Sequence, residues 1–134
     1  MNGARPILVA AGIIERAGKI LICQRRGSDA YGLEWEFPGG KVREGEALKA
    51  ALARELSEEL GIEAEVAEEV HRLRHRYPDR YVEVVFFRVP RFRGRIANRV
   101  FEAIAWSSRK NLATYNFLEA DRELVARIGS GEIL

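Results

Sequence analysis

The amino-acid sequence predicts an α+β fold, in which helices pack against a mixed β-sheet. Short apolar or alternating runs typical of strands occur along the 134 residues, together with two stretches that repeat like amphipathic helices. Strands, a helix, more strands and a second helix follow one another in that order. A chain of this length predicts one domain, residues 1–134, large enough for an ordinary hydrophobic core.

The first half of the chain predicts a strand pair, a loop and a helix. The apolar runs RPILVAAGIIE and KILICQRR, joined by residues 16–18, are typical of paired strands. GSDAYGLEWEFPGG lacks periodicity and predicts a loop, in which Trp35 and Phe37 either pack on the core or line a pocket. Leucines at every fourth position predict a helix from Ala47 to Leu60, which Gly61 caps at its C-terminus.

The second half predicts a hairpin, another strand and a terminal helix. EVAEEVHRLRHRY and RYVEVVFFRV flank Pro78 and Asp79, which predicts a turn between two strands. VFEAIAW is typical of a strand, SSRKNLATY of a helix or an ordered loop, and EADRELVARI of a helix. His71 and His75 lie within a strand pattern, so we interpret them as structural or exposed rather than as metal ligands.

The net charge of +2 is distributed unevenly. Between Glu44 and Glu69 there are nine acids and two bases, whereas between His71 and Arg99 there are nine arginines and two acids. The acidic part could hold a metal ion and the basic part could attract a polyanion. The arginines of RLRHR alternate as on a solvated strand face, and no nucleic-acid-binding motif occurs, so no stable nucleic-acid binding is expected.

The sequence also predicts where in the cell the protein is located. No apolar run approaches the roughly 20 residues that span a bilayer, so we expect no membrane association. The apolar stretch at the start of the chain is too short, and polar residues follow it too early, for a secretory signal. We therefore expect a cytoplasmic location. The single cysteine, Cys23, lies in an apolar run and is interpreted as a buried core residue. The sequence carries no signature of an oligomeric state.

The first predicted helix places acids on its apolar side. At about 100° per residue, Glu55 and Glu59 fall about 20° to either side of Leu48, and Glu58 lies at the edge of the apolar arc. Carboxylates turned inward together repel one another unless a cation lies between them, and Mg²⁺ prefers oxygen ligands. The preceding PGGKVREGE can bend, so that a carbonyl faces a metal ion and N–H groups or Lys41 face a phosphate.

Residues 40–62 read GKVREGEALKAALARELSEELGI. This spacing resembles the signature of the Nudix hydrolases, GX5EX7REUXEEXGU, in which U is an aliphatic residue. The nine matching positions are Gly40, Glu46, Arg54, Glu55, Leu56, Glu58, Glu59, Gly61 and Ile62. The resemblance implies an α/β/α sandwich with a mixed sheet. It also implies an Mg²⁺-dependent enzyme, in which Mn²⁺ can substitute, that hydrolyses a diphosphate linked to another moiety.

Further motifs resemble the MutT branch of that family: WEFPGGKVREGE, the preceding arginine pair and the turn YPDR. The metal ligands that this implies are the Gly39 carbonyl, Glu55, Glu58, Glu59 and an acid ahead of the late Trp106, for which Glu102 is the candidate. Glu102 could instead be an exposed strand residue. The resemblance implies that Arg54 orients the catalytic glutamates by hydrogen bonding, although a surface arginine is the alternative.

The predicted substrate contacts are Arg26, Phe37, Lys41, Arg80 and Asp121. Arg26 and Lys41 could each meet phosphate, or could be solvated loop bases. Asp121 lies on the apolar stripe of the last helix and could bind the base, or it could be an ordinary first-turn acid. In relatives specific for an oxidised purine the matching position is often asparagine, so this aspartate leaves the base open.

The resemblance implies hydrolysis of a nucleoside triphosphate to the monophosphate and pyrophosphate, with one of the helix glutamates as general base. A MutT-like 8-oxo-dGTP diphosphatase, which cleans the nucleotide pool in support of DNA repair, is the first candidate. A pyrophosphohydrolase of CTP or modified dCTP is the second. A catalytically silent module that binds nucleotide is the third, and the complete set of carboxylates argues against it. Glu58→Gln is expected to abolish turnover.

Overall fold

The computed structural model describes residues 5–134, and its largest sheet has seven strands. In chain order the strands of the protein are β1 (Ile7–Arg16), β2 (Lys19–Gln24), β3 (Trp35–Glu36), β4 (Gly39–Lys41), β5 (Glu63–Glu65), β6 (Glu69–Arg76), β7 (Tyr81–Val89), β8 (Arg91–Arg93) and β9 (Ala103–Ser107). The large sheet runs in the order β3-β2-β1-β7-β6, with β4 beside β1 and β9 beside β2. β5 and β8 form a separate pair.

The sheet is mixed because its two longest strands run in the same direction. β1 pairs in parallel with β7 from Ile7 to Ile14, and the other strand pairs are antiparallel. β1 is buried on both faces, which explains why its sequence is apolar without alternation. The predicted pairing of β1 with β2 is confirmed, but it extends only over residues 15–16 and 19–20.

One helix covers each face of the sheet. Helix α1 (Leu48–Leu60) buries Leu52, Leu56 and Leu60 against one face, and helix α2 (Arg122–Gly129) buries Leu124 and Ile128 against the other. The layers are therefore helix, sheet, helix, which confirms the predicted α+β sandwich.

The predicted C-terminal cap of α1 is also confirmed. Gly61 has a left-handed backbone with φ of 69°, and its N–H donates to the Ser57 carbonyl at 3.1 Å. The helix begins one residue later than predicted, since Ala47 is its N-cap. Cys23 is fully buried as expected, and burial raises the pKa of its thiol.

The stretch predicted as a loop before α1 contains two short strands. Trp35 and Glu36 pair with the end of β2, and Gly39–Lys41 pair with β1. Strands of two and three residues are too short to show a period in the sequence. EVAEEVHRLRHRY likewise does not form one strand, because Glu65 belongs to β5 and β6 starts at Glu69.

The predicted hairpin turn is confirmed between β6 and β7. The N–H of Tyr77 donates to the Arg80 carbonyl at 2.7 Å, and the N–H of Arg80 donates to the Tyr77 carbonyl at 3.3 Å.

SSRKNLATY contains a 3₁₀ helix at Lys110–Thr114. A second 3₁₀ helix at Glu119–Asp121 precedes α2, so Asp121 lies ahead of the terminal α-helix rather than within it. Within residues 5–134, no helix is long and apolar enough to cross a membrane.

Candidate active site

Two glycines of β4 bring the backbone and helix α1 into close contact. A Cβ on Gly39 would lie 2.1 Å from the Ala10 carbonyl oxygen, so this position needs glycine for the strand pairing with β1. A Cβ on Gly40 would lie 2.3 Å from the carboxyl carbon of Glu55. The second glycine therefore lets the Glu55 carboxylate lie directly against the strand.

Arg54 connects the acids around this contact. Its Nε and Nη2 each donate to a carboxylate oxygen of Glu46 at 2.9 Å, and Nη1 donates to Oε2 of Glu55 at 2.9 Å. Nη1 also reaches Oε1 of Glu58 at 3.5 Å, and Nη2 donates to the Lys41 carbonyl at 3.1 Å. A planar guanidinium with several fixed donors holds these side chains in one arrangement.

Glu46 holds the Arg54 guanidinium in place. Its carboxylate accepts two bonds from Arg54 and one from the backbone N–H of Arg43 at 3.0 Å. These contacts lower the pKa of Glu46 to about 2, mainly through the arginine and then through the Arg43 amide. Sequence reasoning noted the position of Glu46 but assigned it no role, although its fixed separation from Arg54 could have suggested the pair.

The three helix glutamates differ in exposure. The side chain of Glu55 is 16% exposed and that of Glu58 is 52% exposed. Glu59 is partly buried, and its Oε1 has no hydrogen-bond partner among the described residues. Burial, followed by the charges of Glu55 and Glu36, raises the pKa of Glu59 to about 8. Two of the three acids thus face inward, as the helical wheel predicted.

These donors fit a hard divalent cation. Within residues 5–134, no group of three or more His, Cys, Asp or Glu side chains is already arranged so that it could hold a metal ion. Glu55 and Glu59 nevertheless lie close enough to repel each other, and a buried carboxylate oxygen without a partner is costly. Oxygen donors that repel one another are the type of site that a cation such as Mg²⁺ stabilises.

A cavity of about 300 Å³ extends from this cluster along the α2 side of the sheet. The end beside the helix glutamates is formed by Gly39, Gly40, Lys41 and Glu59, and the far end by Leu118, Ala120 and Asp121. Apolar side chains from β1 and β7 form its floor. A space of this size, with a mainly apolar body and the cationic side chains of Arg25, Lys41 and Arg80 among its walls, suits a small organic phosphate.

The predicted substrate residues are distributed around this cavity. The cavity is lined by Phe37, Lys41, Arg80 and Asp121. Arg26 is not among the described residues that line the cavity. Arg26 is exposed in the turn after β2, and its neighbour Arg25 lines the cavity instead. Arg26 stays a prediction without an observed contact to the cavity.

Glu102 also stays a prediction. It is exposed just ahead of β9, and its backbone N–H donates to the Gln24 carbonyl at 2.9 Å. It does not line the cavity formed by the described residues. This placement is compatible with the exposed strand-end residue that the sequence left as the alternative.

Asp121 occupies the end of the cavity that lies away from the glutamates of α1. It is only 5% exposed. Burial raises the pKa of its carboxyl well above the usual range, the charge of Glu36 acts in the same direction, and the Phe37 amide opposes them. A carboxyl group in these surroundings favours its protonated form, which can donate one hydrogen bond as well as accept.

Four cavity residues with polar side chains, Arg25, Tyr31, Glu36 and Tyr77, were not predicted as site residues. Arg25 pairs with Glu36, with Nη1 3.1 Å from Oε1, and burial raises the pKa of Glu36 despite that pairing. Tyr31 donates its hydroxyl to Oδ1 of Asp79 at 2.6 Å, and its ring lies 4.9 Å from that of Tyr77. The contacts of Tyr31 with Asp79 and Tyr77 join segments more than 40 residues apart, so no local sequence pattern could reveal them.

Comparison with known proteins identifies the family. Residues 5–128 match the sequence model of the NUDIX domain. The chain belongs to the Nudix family. A CTP pyrophosphohydrolase of Escherichia coli (strain K12) is 43% identical over 120 residues, covering 89% of this chain and 88% of that protein. An 8-oxo-dGTP diphosphatase of the same strain is 30% identical over 125 residues, covering 92% and 97%.

A solved structure extends the similarity to three dimensions. The solution structure of the E. coli ORF135 protein superposes with a TM-score of 0.87 at 36% identity, covering 98% of this chain and 94% of that chain. The Nudix domain and its relatives make this protein a hydrolase that acts on phosphoric anhydrides.

We expect Arg54→Lys to lower the activity of this Nudix hydrolase about 10- to 100-fold, the usual effect of losing a group that orients metal-binding side chains. Lysine keeps the positive charge but cannot reproduce the planar two-bond contact with Glu46 together with the bonds to Glu55 and the Lys41 carbonyl. Steady-state hydrolysis of the best nucleotide substrate measures the effect. Arg72→Lys is the matched control, because Arg72 makes a similar two-bond contact with Glu69 on an exposed strand. Equal activities in the two variants would remove Arg54 from the orienting role.

Proposed function

We propose that this Nudix hydrolase converts a nucleoside triphosphate into the monophosphate and pyrophosphate with a divalent cation, normally Mg²⁺. The observation that carries the proposal is the single cavity that joins Gly40 and Glu59 to the buried Asp121. One end offers oxygen ligands and cationic side chains suited to phosphates. The other end offers a polar group among apolar walls, which suits a nucleobase.

The cation would be held by the Gly39 carbonyl and by the carboxylates of Glu55, Glu58 and Glu59, with Glu102 as a further candidate. Mg²⁺, or Mn²⁺ in its place, would supply charge neutralisation for the phosphates and would lower the pKa of coordinated water. Support for this ligand set comes from the Gly40–Glu55 contact and from the unpartnered Oε1 of Glu59.

The protein itself supplies orientation, charge and a proton acceptor. Arg54 keeps Glu55 and Glu58 in place through its hydrogen bonds. Lys41 and Arg80 line the cavity and can pair with phosphate oxygens, and Arg26 could join them. One of the helix glutamates accepts the proton of the attacking water.

The Asp121 carboxyl can form two hydrogen bonds with either of two candidate nucleobases. A protonated carboxyl donates to one atom and accepts from its neighbour, which matches N3 and the N4 amine of cytosine. An oxidised guanine offers a similar pair at O6 and the N7 hydrogen, whereas ordinary guanine has no hydrogen at N7. An 8-oxo-dGTP diphosphatase activity is the first candidate, because WEFPGGKVREGE and the turn YPDR resemble the MutT branch and an 8-oxo-dGTP diphosphatase is 30% identical over 125 residues. The 43% identity to a CTP pyrophosphohydrolase favours CTP or a modified dCTP as the second.

A nucleotide panel tests the proposal. The purified chain is incubated with Mg²⁺ and each canonical, 8-oxo and 5-modified pyrimidine nucleoside triphosphate, and pyrophosphate and monophosphate are quantified. We expect equimolar formation of both products, with the highest kcat/KM for either 8-oxo-dGTP or a cytidine nucleotide. Nucleotide binding without product from any substrate would instead indicate a catalytically silent module.

A further inference from the structure

The helical segments that carry Asp121 begin without a side-chain cap of their own. Leu118 is the N-cap residue of the 3₁₀ helix and Asp121 that of α2, and within residues 5–134 neither makes a side-chain capping bond. Aspartate at such a position ordinarily accepts a hydrogen bond from the next turn of its helix. Here the carboxyl of Asp121 is buried at the cavity instead.

A tyrosine from another strand takes over part of this capping. The hydroxyl oxygen of Tyr77 accepts the backbone N–H of Ala120 at 3.0 Å, in a buried bond between residues 43 positions apart. Burial raises the pKa of Tyr77 to about 12, so the hydroxyl is neutral near pH 7. The Tyr77 hydroxyl thus satisfies an N–H group at the start of the 3₁₀ helix. The N-cap residue, Leu118, has no polar side-chain atom that could do so.

The same segment is held on its other side by β3. The N–H of Leu118 donates to the Trp35 carbonyl at 2.9 Å, and the N–H of Trp35 donates to the Asn116 carbonyl at 2.8 Å. The N–H of Asp121 donates to the Leu118 carbonyl at 2.9 Å. Asp121 therefore lies on a short segment fixed by β3 at one side and by the Tyr77 hydroxyl at the other.

We propose that the Tyr77 hydroxyl is a positioning group that holds the Asp121 carboxyl toward the base and so contributes to base selectivity. The proposal rests on the proposed function, because it needs a nucleobase beside Asp121. Tyr77 also lines the cavity with its ring, which phenylalanine would preserve. The hydroxyl and the ring can therefore be separated by one substitution.

The test is Tyr77→Phe, with kcat and KM measured for the best and the poorest substrates of the nucleotide panel. We expect the ratio of their kcat/KM values to fall about fivefold, as for the loss of one hydrogen bond. The KM of the best substrate should rise while its kcat changes less than about twofold. Tyr115→Phe is the matched control, since its ring packs on Trp35 with centroids 4.9 Å apart, and it should keep the selectivity.

Two further measurements separate positioning from a general loss of structure. In an Asp121→Ala background, Tyr77→Phe should no longer change the selectivity ratio, because the group that it positions is gone. Amide exchange of Ala120 should become about tenfold faster in Tyr77→Phe while the core amides of β1 and β7 are unchanged. Unchanged selectivity in a folded Tyr77→Phe variant would overturn the proposal. Absence of hydrolysis by the unsubstituted protein would instead overturn the proposed function.

Discussion

Replacing Glu58 by glutamine is expected to abolish measurable pyrophosphate release, because removing a general base lowers the rate about 10²- to 10⁴-fold. Glutamine keeps the size of the side chain but cannot accept a proton at neutral pH and is a poor metal ligand. The Glu58 side chain is 52% exposed, and its contact with Arg54 is 3.5 Å long, so the fold should be little affected. Single-turnover hydrolysis and thermal unfolding of the same preparation measure both quantities.

Glu63→Gln is the matched control for this experiment. Glu63 is also exposed, and it begins β5 just after α1, so it shares the acidic part of the sequence without lining the cavity described above. Its substitution should leave the rate within about twofold of the unsubstituted enzyme. A Glu58→Gln variant with a near-normal rate would show that Glu58 is neither the base nor a required ligand.

Gly40→Ala is expected to lower the rate about 10²-fold, comparable to a displacement of a catalytic group by about 1 Å. The added methyl group would lie 2.3 Å from the carboxyl carbon of Glu55, so that carboxylate must move away from the strand. The substitution acts on a side chain rather than on the strand pairing, and the variant should therefore fold. The rate and the dependence on Mg²⁺ concentration report the displacement.

A second glycine provides the comparison. A Cβ on Gly129, at the end of α2, would meet nothing closer than the Arg109 carbonyl oxygen at 3.6 Å, an ordinary contact. Gly129→Ala should leave both the rate and the Mg²⁺ dependence unchanged. If Gly40→Ala behaved in the same way, the close approach of Glu55 to β4 would have no part in catalysis.

The arrangement of α1 could be predicted from the sequence because a local repeat determines it. Leucines at every fourth position define the buried side of the helix, and this places Glu55 and Glu59 inward without any knowledge of the sheet. Gly61 as the C-terminal cap follows from a local backbone requirement in the same way. Asp121 was expected on the apolar stripe of the last helix, and it is buried although it precedes that helix.

Features that depend on distant contacts could not be predicted. The parallel pairing of β1 with β7 joins strands some 75 residues apart, and neither sequence indicates its partner. The Tyr31–Asp79 and Tyr77–Ala120 hydrogen bonds span 48 and 43 residues. Tyr31, Tyr77 and Ala120 line the cavity, and these bonds form only when the loop after β2, the hairpin turn and the last helical segment come together.

In the proposed function, the inward carboxylates of α1 serve a metal-dependent cleavage that releases pyrophosphate. The most direct measurement is phosphorus-31 NMR of the products formed from the best nucleoside triphosphate by chelator-treated protein, before and after addition of Mg²⁺. We predict no turnover before addition, and monophosphate with pyrophosphate afterwards. Turnover without metal, or formation of the diphosphate with inorganic phosphate, would contradict the account.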